Sequence, residues 1–231
     1  LSKVLFPIGD LKKTDVRKIA KENGLITANK KDSQGLCFVG KIKLPEFLQQ
    51  KLKIKRGKII KIPPDEKIYK KVLKNKKDEN FLKNSVEKFK YSETDGEMIG
   101  YHNGAHFFTI GQRKGLQVGG FKNPLFVIEK DVINNIIYVG EGKNHPGLYR
   151  KGLLIRNNDI NWVRPDLKIG LNSSEKLLAR IRYRQPLKPA QIFRCHEGIY
   201  LIFEKKQKAV SSGQFAAWYK ETELIGSGII Y

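Results

Sequence analysis

Hydrophobic and polar residues near the start of the chain alternate with a helical period. Apolar side chains in residues 15–23 recur at three- and four-residue spacing, which places them on one face of a helix. Thr14 is positioned to act as the N-cap, and Gly24 can take the left-handed conformation that ends a helix. We therefore expect a helix over 15–23 and a second over 45–52, where Pro45 is tolerated in the first turn.

Beyond Asp95 the pattern changes to short apolar runs separated by Gly, Pro, Asn and Asp. Such runs are typical of strands joined by tight turns. The predicted strands are residues 98–102, 105–110, 126–129, 136–139, 153–155, 177–184, 191–193, 199–203, 209–211, 216–219 and 229–231. Asn134 and Asn135 predict a hairpin turn between two of them. Short, closely spaced strands favour β-barrels or sandwiches over alternating strands and helices.

Positive charge is unevenly distributed along the 231 residues. The chain has 45 lysines and arginines against 23 acidic residues, a formal net charge of +22 that suits a polyanionic partner. Residues 51–90 hold 15 basic and five acidic residues, a local charge of 15 − 5 = +10. Periodicity is weak over 72–94, so we expect a solvated insertion or mobile loop there rather than core. A nucleic-acid-binding arm is the alternative.

Residues 177–184 alternate strictly between apolar side chains and arginines. The arginines are Arg180, Arg182 and Arg184. On a strand they would share one face, opposite a face of Ala179, Ile181 and Tyr183 that belongs to the core. A row of guanidiniums beside Tyr183 and Gln185 suits RNA, because arginine binds phosphate in a bidentate manner and planar side chains stack on unpaired bases. A solvated barrel face balanced by nearby acids is the alternative, and the residues alone leave the two readings even.

A basic, glycine-rich turn follows the strand predicted at 105–110. It contains Gln112, Arg113 and Lys114 between Gly111 and Gly115. Exposed amides and cations in such a turn can hold phosphate. Most glycine-rich turns only close a hairpin, so both functions remain possible here.

Two cysteines are the candidates for nucleophilic chemistry. Lysines flank Cys37 on both sides and would lower the pKa of its thiol, but Cys37 also lies in the apolar run LCFV, which is typical of an unreactive buried cysteine. Both readings stay open on the residues alone. Cys195 is followed by His196, but neighbours on a strand point to opposite faces, so we expect no catalytic pair there.

The remaining composition excludes several classes of protein. Two cysteines without a CxxC spacing exclude a disulfide scaffold and predict no structural zinc, so we expect a reducing compartment, the cytoplasm. The histidines are scattered, so no metal site is expected. No apolar run approaches the roughly 20 residues of a membrane helix, so no membrane partner is expected.

Eight segments, taken in order, closely resemble the tRNA-specific 2-thiouridylase family. They are LFPIG at 5–9, VRKIA at 16–20, KDSQGLCFVG at 31–40, DGEMIG at 95–100, TIGQRKGL at 109–116, RYRQ at 182–185, GQ at 213–214 and GSGII at 226–230. They cover nearly the whole chain in the family's order. The resemblance implies a mainly β fold class with a short N-terminal α segment, in which a small central β-domain precedes a C-terminal antiparallel β-barrel.

The resemblance also implies a domain organisation. Residues 1–52 would be the last helices of the nucleotide-binding catalytic domain and carry the cysteine loop. Residues 53–147 would form the central β-domain, with a lysine-rich insertion at about 72–94, and residues 148–231 the tRNA-contacting barrel. The family's Gly/Ser-rich ATP pyrophosphatase loop and its second cysteine have no counterpart in the sequence. We therefore expect these residues to hold no cofactor and to be inactive in thiolation by themselves.

Enzymes of this family replace the C2 oxygen of the wobble uridine in certain tRNAs with sulfur. ATP, with Mg²⁺, adenylates that oxygen, and a cysteine persulfide loaded by the sulfur-carrier protein of a cysteine desulfurase relay delivers the sulfur. On the resemblance, Cys37 matches the persulfide-bearing nucleophile, and Arg182, Tyr183 and Gln214 match tRNA contacts. Further candidate contacts are Arg184, Gln112, Arg113 and Lys114.

The expected partners are therefore tRNA and the sulfur carrier, with the chain itself a monomer. Two other hypotheses stay open. The first is a non-catalytic RNA-binding β-barrel module in which Cys37 is structural. The second is that the cationic surface only reflects a lysine-rich genome composition and says little about partners.

Overall fold

A computed structural model describes residues 4–30, 53–65, 67–70 and 79–231. The chain divides into two compact units, Leu1–Leu52 and Lys53–Tyr231. Strands dominate the second unit and helices are few, so the expected mainly β fold class is confirmed. The helix expected over 45–52 and the cysteine loop around Cys37 lie outside the described residues.

The helix near the start of the chain, α1, spans Lys13–Glu22. Gly24 follows its C-cap residue with a φ of +68°, which confirms the predicted left-handed end. The N-cap is Lys12 rather than Thr14, because α1 begins two residues earlier than expected. The Thr14 hydroxyl lies inside the first turn and donates to Asp15 instead.

Four strands of the second unit form a small mixed sheet, the central sheet. They are β1 (Gly57–Ile62), β2 (Glu97–His102), β3 (Leu125–Asp131) and β4 (Ile136–Glu141). Their order is β2-β1-β4-β3, with β1 parallel to β4 and the other pairs antiparallel. The β3–β4 hairpin turns at Asn135, whose φ is +57°, so the predicted asparagine turn is confirmed.

Hydrophobic residues cover both faces of the central sheet. Ile59 packs in one cluster with Val127 and Val139, whereas Ile60 packs in another with Ile128. Because side chains alternate along a strand, a sheet covered on both faces requires continuous apolar runs such as IIYV in β4. The same requirement explains the adjacent isoleucines of β1, a strand whose apolar run is interrupted by lysines and is not predicted by alternation.

Seven strands form the second sheet, the barrel sheet. They are β5 (Tyr149–Arg156), β6 (Ile160–Trp162), β7 (Ser173–Arg180), β8 (Lys188–Cys195), β9 (Gly198–Lys208), β10 (Phe215–Lys220) and β11 (Glu223–Ile229). All its pairings are antiparallel, in the order β5-β9-β8-β7-β10-β11-β6. The sheet curls into a half-barrel in which the Tyr231 amide donates to the Leu154 carbonyl at 2.9 Å. Trp218 and Phe203 fill its core.

Short 3₁₀ helices connect many of the strands. Within the described residues they are Lys67–Lys70, Glu93–Asp95, Ala105–Phe107, Pro146–Leu148, Asn157–Asp159 and Pro165–Leu167. The helix Ala105–Phe107 lies where a strand was expected over 105–110, so that prediction is wrong. The strand expected over 209–211 is also wrong, because the chain turns at Ala209 with a φ of +54°. β7 ends at Arg180 rather than at 184.

The lysine-rich stretch contains a packed helix over part of its length. The helix α2 spans Glu79–Val86 and lies against β5 and β9. Ser85 is buried, and the Val86 side chain lies so close to Gly152 that a Cβ there would stand 3.2 Å from it. Phe89 and Tyr91 then pack against Tyr69. For residues 79–94 the expectation of a solvated loop is thus wrong, because the apolar side chains between the lysines are partly buried against other elements.

Candidate nucleic-acid interface

The three arginines predicted to line one face of a strand lie in and beside a turn. Arg180 is the last residue of β7, and its Nε and Nη2 atoms donate to the Tyr219 hydroxyl at 3.1 and 2.6 Å. Its Nη1 donates to the Tyr183 carbonyl at 3.0 Å. The Gln185 side-chain oxygen accepts from the Ile181 amide at 3.2 Å, which closes the turn. The expected row of guanidiniums is therefore wrong in geometry, since the strand ends at its first member.

The residues of this turn that face solvent are Arg182, Tyr183 and Arg184. Tyr183 is 86% exposed, although the alternation predicted it to be core. Arg182 is held in place, because its Nη2 donates to the Ala209 carbonyl at 2.9 Å. The turn thus presents an aromatic ring between two cationic groups, an arrangement suited to phosphates and unstacked bases.

The glycine-rich turn, which precedes β3 of the central sheet, contacts the chain just after β9, where Arg182 is also held. A Cβ at Gly111 would lie 2.5 Å from the Ala209 Cβ, and Gly111 has a φ of +85°. Two properties therefore require glycine at position 111: the close approach to Ala209 and the positive φ of the backbone. Ala209 consequently joins the Arg182 turn to the glycine-rich turn.

The side chains of the glycine-rich turn have two different roles. Gln112 braces the turn, because its Oε1 accepts from the Thr109 amide at 3.0 Å and its Nε2 donates to the Lys114 carbonyl at 2.8 Å. Arg113 and Lys114 are exposed. Of the predicted contacts in this turn, the two cations are thus available to a ligand, whereas Gln112 is already engaged.

Gln214 lies at the junction between the central and barrel sheets. It lines a cavity of about 450 Å³ together with Thr109 and Ile110, which precede the glycine-rich turn. Its Oε1 is buried and has no hydrogen-bond partner among the described residues. The structure therefore brings together three segments that are distant in sequence, around Gly111, Arg182 and Gln214.

The described cysteine and the buried histidines have structural environments. Burial, and then the Glu197 carboxylate, raise the pKa of Cys195, which disfavours its thiolate. His145 is buried and its Nε2 lies 3.0 Å from the Ile62 carbonyl. Burial lowers the pKa of His145 and of His102. No cluster of three or more metal-ligating side chains occurs within the described residues.

Several residues of this junction could not be identified from the sequence. Tyr219 and Ala209 position Arg180 and Arg182 through contacts between residues that are 39 and 27 positions apart, respectively. Neither Tyr219 nor Ala209 belongs to a recognisable sequence motif, so the neighbouring residues do not identify them as part of the site. Cys37, the strongest candidate from the resemblance, lies outside the described residues.

Comparison with known proteins agrees with the sequence motifs. Family models match residues 1–41 (tRNA methyl transferase HUP domain), 79–141 (tRNA methyl transferase PRC-barrel domain) and 152–230 (aminomethyltransferase beta-barrel domain). The whole chain is 54% identical to the tRNA-specific 2-thiouridylase MnmA of Christiangramia forsetii and 52% identical to that of Flavobacterium johnsoniae. The chain belongs to the tRNA-specific 2-thiouridylase family. It spans 58% of the length of each of these relatives.

Distant relatives of the family also match over all of the chain. The enzyme of Pseudomonas fluorescens is 37% identical, and the chain covers 53% of its length. In the part of the chain that the structure describes, no helix is long and apolar enough to cross a membrane. These relatives are named as tRNA-modifying enzymes, so the family to which the chain belongs has a role in tRNA processing.

Proposed function

We propose that the chain is the tRNA-binding and sulfur-carrying part of an ATP-dependent tRNA 2-thiouridylase. The observation that carries this proposal is the junction at which the Arg182 turn, the glycine-rich turn and Gln214 meet. Three segments of the family resemblance converge there, and their exposed side chains are cationic or aromatic. Such a surface suits the phosphates and unpaired bases of a tRNA.

The side chains proposed to contact tRNA differ in whether the protein fixes their position. Arg182 has a fixed position because it donates to Ala209, and Tyr183 projects beside it. Arg184, Arg113 and Lys114 are exposed cations that supply attraction to the backbone. Gln214 offers a polar group at the edge of the cavity, and Gln112 keeps the glycine-rich turn in shape.

The proposed chemistry assigns the nucleophile to Cys37. The C2 oxygen of the wobble uridine is first adenylated, which makes it a good leaving group. The terminal sulfur of a Cys37 persulfide then attacks C2, the C–O bond breaks and AMP departs with the oxygen. A second thiol takes up the Cys37 sulfur as a disulfide when the S–S bond breaks, leaving 2-thiouridine. The soft persulfide sulfur is a nucleophile suited to attack on the activated C2.

The cofactors and partners of that chemistry are part of the proposal. ATP, with Mg²⁺, is assigned to the part of the family's HUP domain that has no counterpart in the 231 residues. The sulfur is proposed to come from the carrier protein of a cysteine desulfurase relay in the cytoplasm. Residues 1–52, 53–147 and 148–231 are proposed as the catalytic remnant, the central domain and the barrel, and the chain as a monomer that is inactive in thiolation alone.

A second candidate function is a non-catalytic RNA-binding module. It is favoured by the same cationic junction, which needs no sulfur chemistry to bind RNA. The two functions differ at Cys37, which is a persulfide carrier in the first and a structural residue in the second. Cys195 provides a matched control, because its raised pKa makes it a poor nucleophile.

The decisive experiment follows labelled sulfur. The intact gene product is incubated with a cysteine desulfurase, a carrier protein and ³⁵S-cysteine, and 2-thiouridine is measured after addition of tRNA and ATP. We expect Cys37→Ser to abolish both protein-bound sulfur and 2-thiouridine, and Cys195→Ser to leave both at the wild-type level. Full thiolation by the Cys37→Ser variant would refute the catalytic assignment and favour the RNA-binding module.

A further inference from the structure

A cleft between the central and barrel sheets carries cations that the proposed tRNA contacts do not include. It is the cavity of about 450 Å³ that Gln214 lines. Lys130 of β3 and Arg150 of β5 line it, and Lys88 reaches it from the segment after α2. These three residues come from separate elements, so the fold alone brings their charges together.

The charges in the cleft do not cancel. Glu129 is the one carboxylate among the described residues that line it, and both of its oxygens are engaged. Oε1 accepts from the Lys130 amide at 3.0 Å, and Oε2 lies 3.5 Å from Arg150 Nη2. Three cations face one carboxylate, which leaves two positive charges in the cleft. An anion would therefore be attracted to it.

The three cations are held in place by neutral groups or by Glu129. Lys88 Nζ donates to the Ser212 hydroxyl at 2.7 Å, and Lys130 Nζ donates to the Phe108 carbonyl at 2.9 Å. An ammonium has three N–H donors, so each lysine keeps donors for a ligand. Partial burial and the neighbouring Arg150 lower the pKa of Lys88, while Glu129 opposes this shift. Cations crowded in this way gain from a bound anion.

Unsatisfied polar groups occupy the wall of the same cleft. Ser211 is only 6% exposed, and its hydroxyl has no hydrogen-bond partner among the described residues. Gln214 Oε1 is likewise buried and unpartnered. Rotating that amide by 180° would place its N–H donors there instead. A buried polar group without a partner costs free energy, so a ligand that pairs with both groups is expected.

The backbone of the cleft is also irregular. The register between β3 and β4 shifts between Val127 and Glu129, and that between β5 and β9 shifts between Arg150 and Gly152. Such irregularities redirect side chains and are common beside functional sites. Here each of them lies at a member of the ion pair that faces the cleft.

We propose that this cleft binds a phosphate group through Lys88, Lys130, Arg150 and the Ser211 hydroxyl. The inference deepens the proposed function, on which it rests for its ligand: a backbone phosphate of the tRNA that contacts the neighbouring Arg182 turn. The cleft is much larger than one phosphate and open to solvent, which suits a phosphate with riboses on either side. Free phosphate shares this chemistry and is the second source that the experiment must separate.

Two pairs of variants test the site. Lys88→Gln removes a cleft cation, and Lys83→Gln removes an exposed cation from α2 in the same stretch of chain. Ser211→Ala removes a hydroxyl that lines the cleft, and Ser85→Ala removes a buried serine hydroxyl that does not; neither hydroxyl has a hydrogen-bond partner among the described residues. Affinity for tRNA is measured for the 231-residue chain at several salt concentrations, and inorganic phosphate is titrated into each variant by calorimetry.

We expect Lys88→Gln to weaken tRNA binding about five- to tenfold and to reduce the slope of log affinity against log salt by about one, the contribution of one phosphate contact. Lys83→Gln should change both much less. Ser211→Ala should weaken binding without lowering thermal stability, since the hydroxyl it removes has no hydrogen-bond partner in the part of the chain that the structure describes. Ser85→Ala should leave binding unchanged. Equal effects of the two lysine variants together with wild-type affinity of Ser211→Ala would overturn the site.

The remaining outcomes separate this inference from the proposed function. If the wild-type chain binds inorganic phosphate, and Lys88→Gln loses that binding without any change in the tRNA slope, a free anion occupies the cleft and the RNA backbone does not. If the wild-type chain has no salt-sensitive affinity for tRNA, the proposed tRNA function fails, and the phosphate titration alone then supports or overturns the anion site.

Discussion

Two cationic regions of this protein differ in how their charges are held. The lysine segment, residues 79–90, has several exposed lysines, of which Lys83 is one. The arginine turn, residues 180–185, also has three cations, but Arg180 and Arg182 are fixed by Tyr219 and Ala209. An exposed charge that no partner fixes supplies attraction, which is long-ranged and indifferent to position. A fixed guanidinium supplies a specific geometry, because its ordering cost has been met before the ligand arrives.

The largest loss of tRNA affinity is expected when the fixed cation Arg182 is removed, compared with removal of the exposed cation Lys83. Arg182→Ala should weaken tRNA binding about 10- to 100-fold, because a charge-assisted hydrogen bond in a preset position contributes about 1.5–3 kcal/mol. Lys83→Ala removes the same charge from an exposed lysine and should weaken binding only a few-fold. The measurement is a tRNA titration of the 231-residue chain at constant salt.

Arg182→Lys completes that comparison. It keeps the charge but loses the planar donor fork, so an affinity between those of the wild type and Arg182→Ala is expected. Equal losses for Arg182→Ala and Lys83→Ala would mean that the chain binds by overall charge alone. That result would favour a cationic surface that reflects only lysine-rich composition.

The second prediction tests whether the position of Arg182 matters, using a substitution that changes no charge. Gly111→Ala places a Cβ 2.5 Å from that of Ala209 and also imposes a φ of +85° on alanine. We expect it to lower the free energy of unfolding by about 2–4 kcal/mol and to weaken tRNA binding, since it displaces the carbonyl that holds Arg182. Thermal unfolding and a tRNA titration measure the two consequences.

Gly120→Ala is the matched control, because Gly120 has the same φ of +85° but no atom within 4 Å of an added Cβ. Only the backbone strain of about 1 kcal/mol applies there. A Gly111→Ala protein as stable as Gly120→Ala, with unchanged affinity, would show that the contact with Ala209 does not position the arginine turn.

The smallest effect concerns the other fixed arginine. Tyr219→Phe removes the hydroxyl that accepts two hydrogen bonds from Arg180 and leaves the ring beneath the guanidinium. We expect a loss of stability of about 1 kcal/mol and a two- to fivefold loss of tRNA affinity, because Arg180 keeps its bond to the Tyr183 carbonyl. Tyr200→Phe, which changes a tyrosine of β9 that has no bond to the arginine turn, serves as control. Unchanged affinity of Tyr219→Phe would exclude Arg180 from positioning the turn.

The sequence alone predicted the parts of the fold that depend on neighbouring residues. The hairpin at Asn135, the end of α1 at Gly24 and most strands of the barrel sheet follow from turn residues and alternation over a few positions. The two strands predicted at 105–110 and 209–211 failed because an apolar run can pack equally well in a turn that other elements cover. Likewise, β1 and α2 were concealed by lysines that flank their buried residues.

By itself the sequence determined the family, the mainly β fold and the surplus of positive charge, because motifs, alternation and composition are carried by the residues in order. Only the tertiary structure decided which charges lie together. Arg182 meets Ala209 across 27 positions, and Lys88 meets Ser212 across 124. Such contacts form when loops and turns that are remote in the chain are brought side by side by the packing of the elements that they connect. The residues adjacent to each partner in the sequence do not predict these contacts, since the two partners come together only when the chain folds.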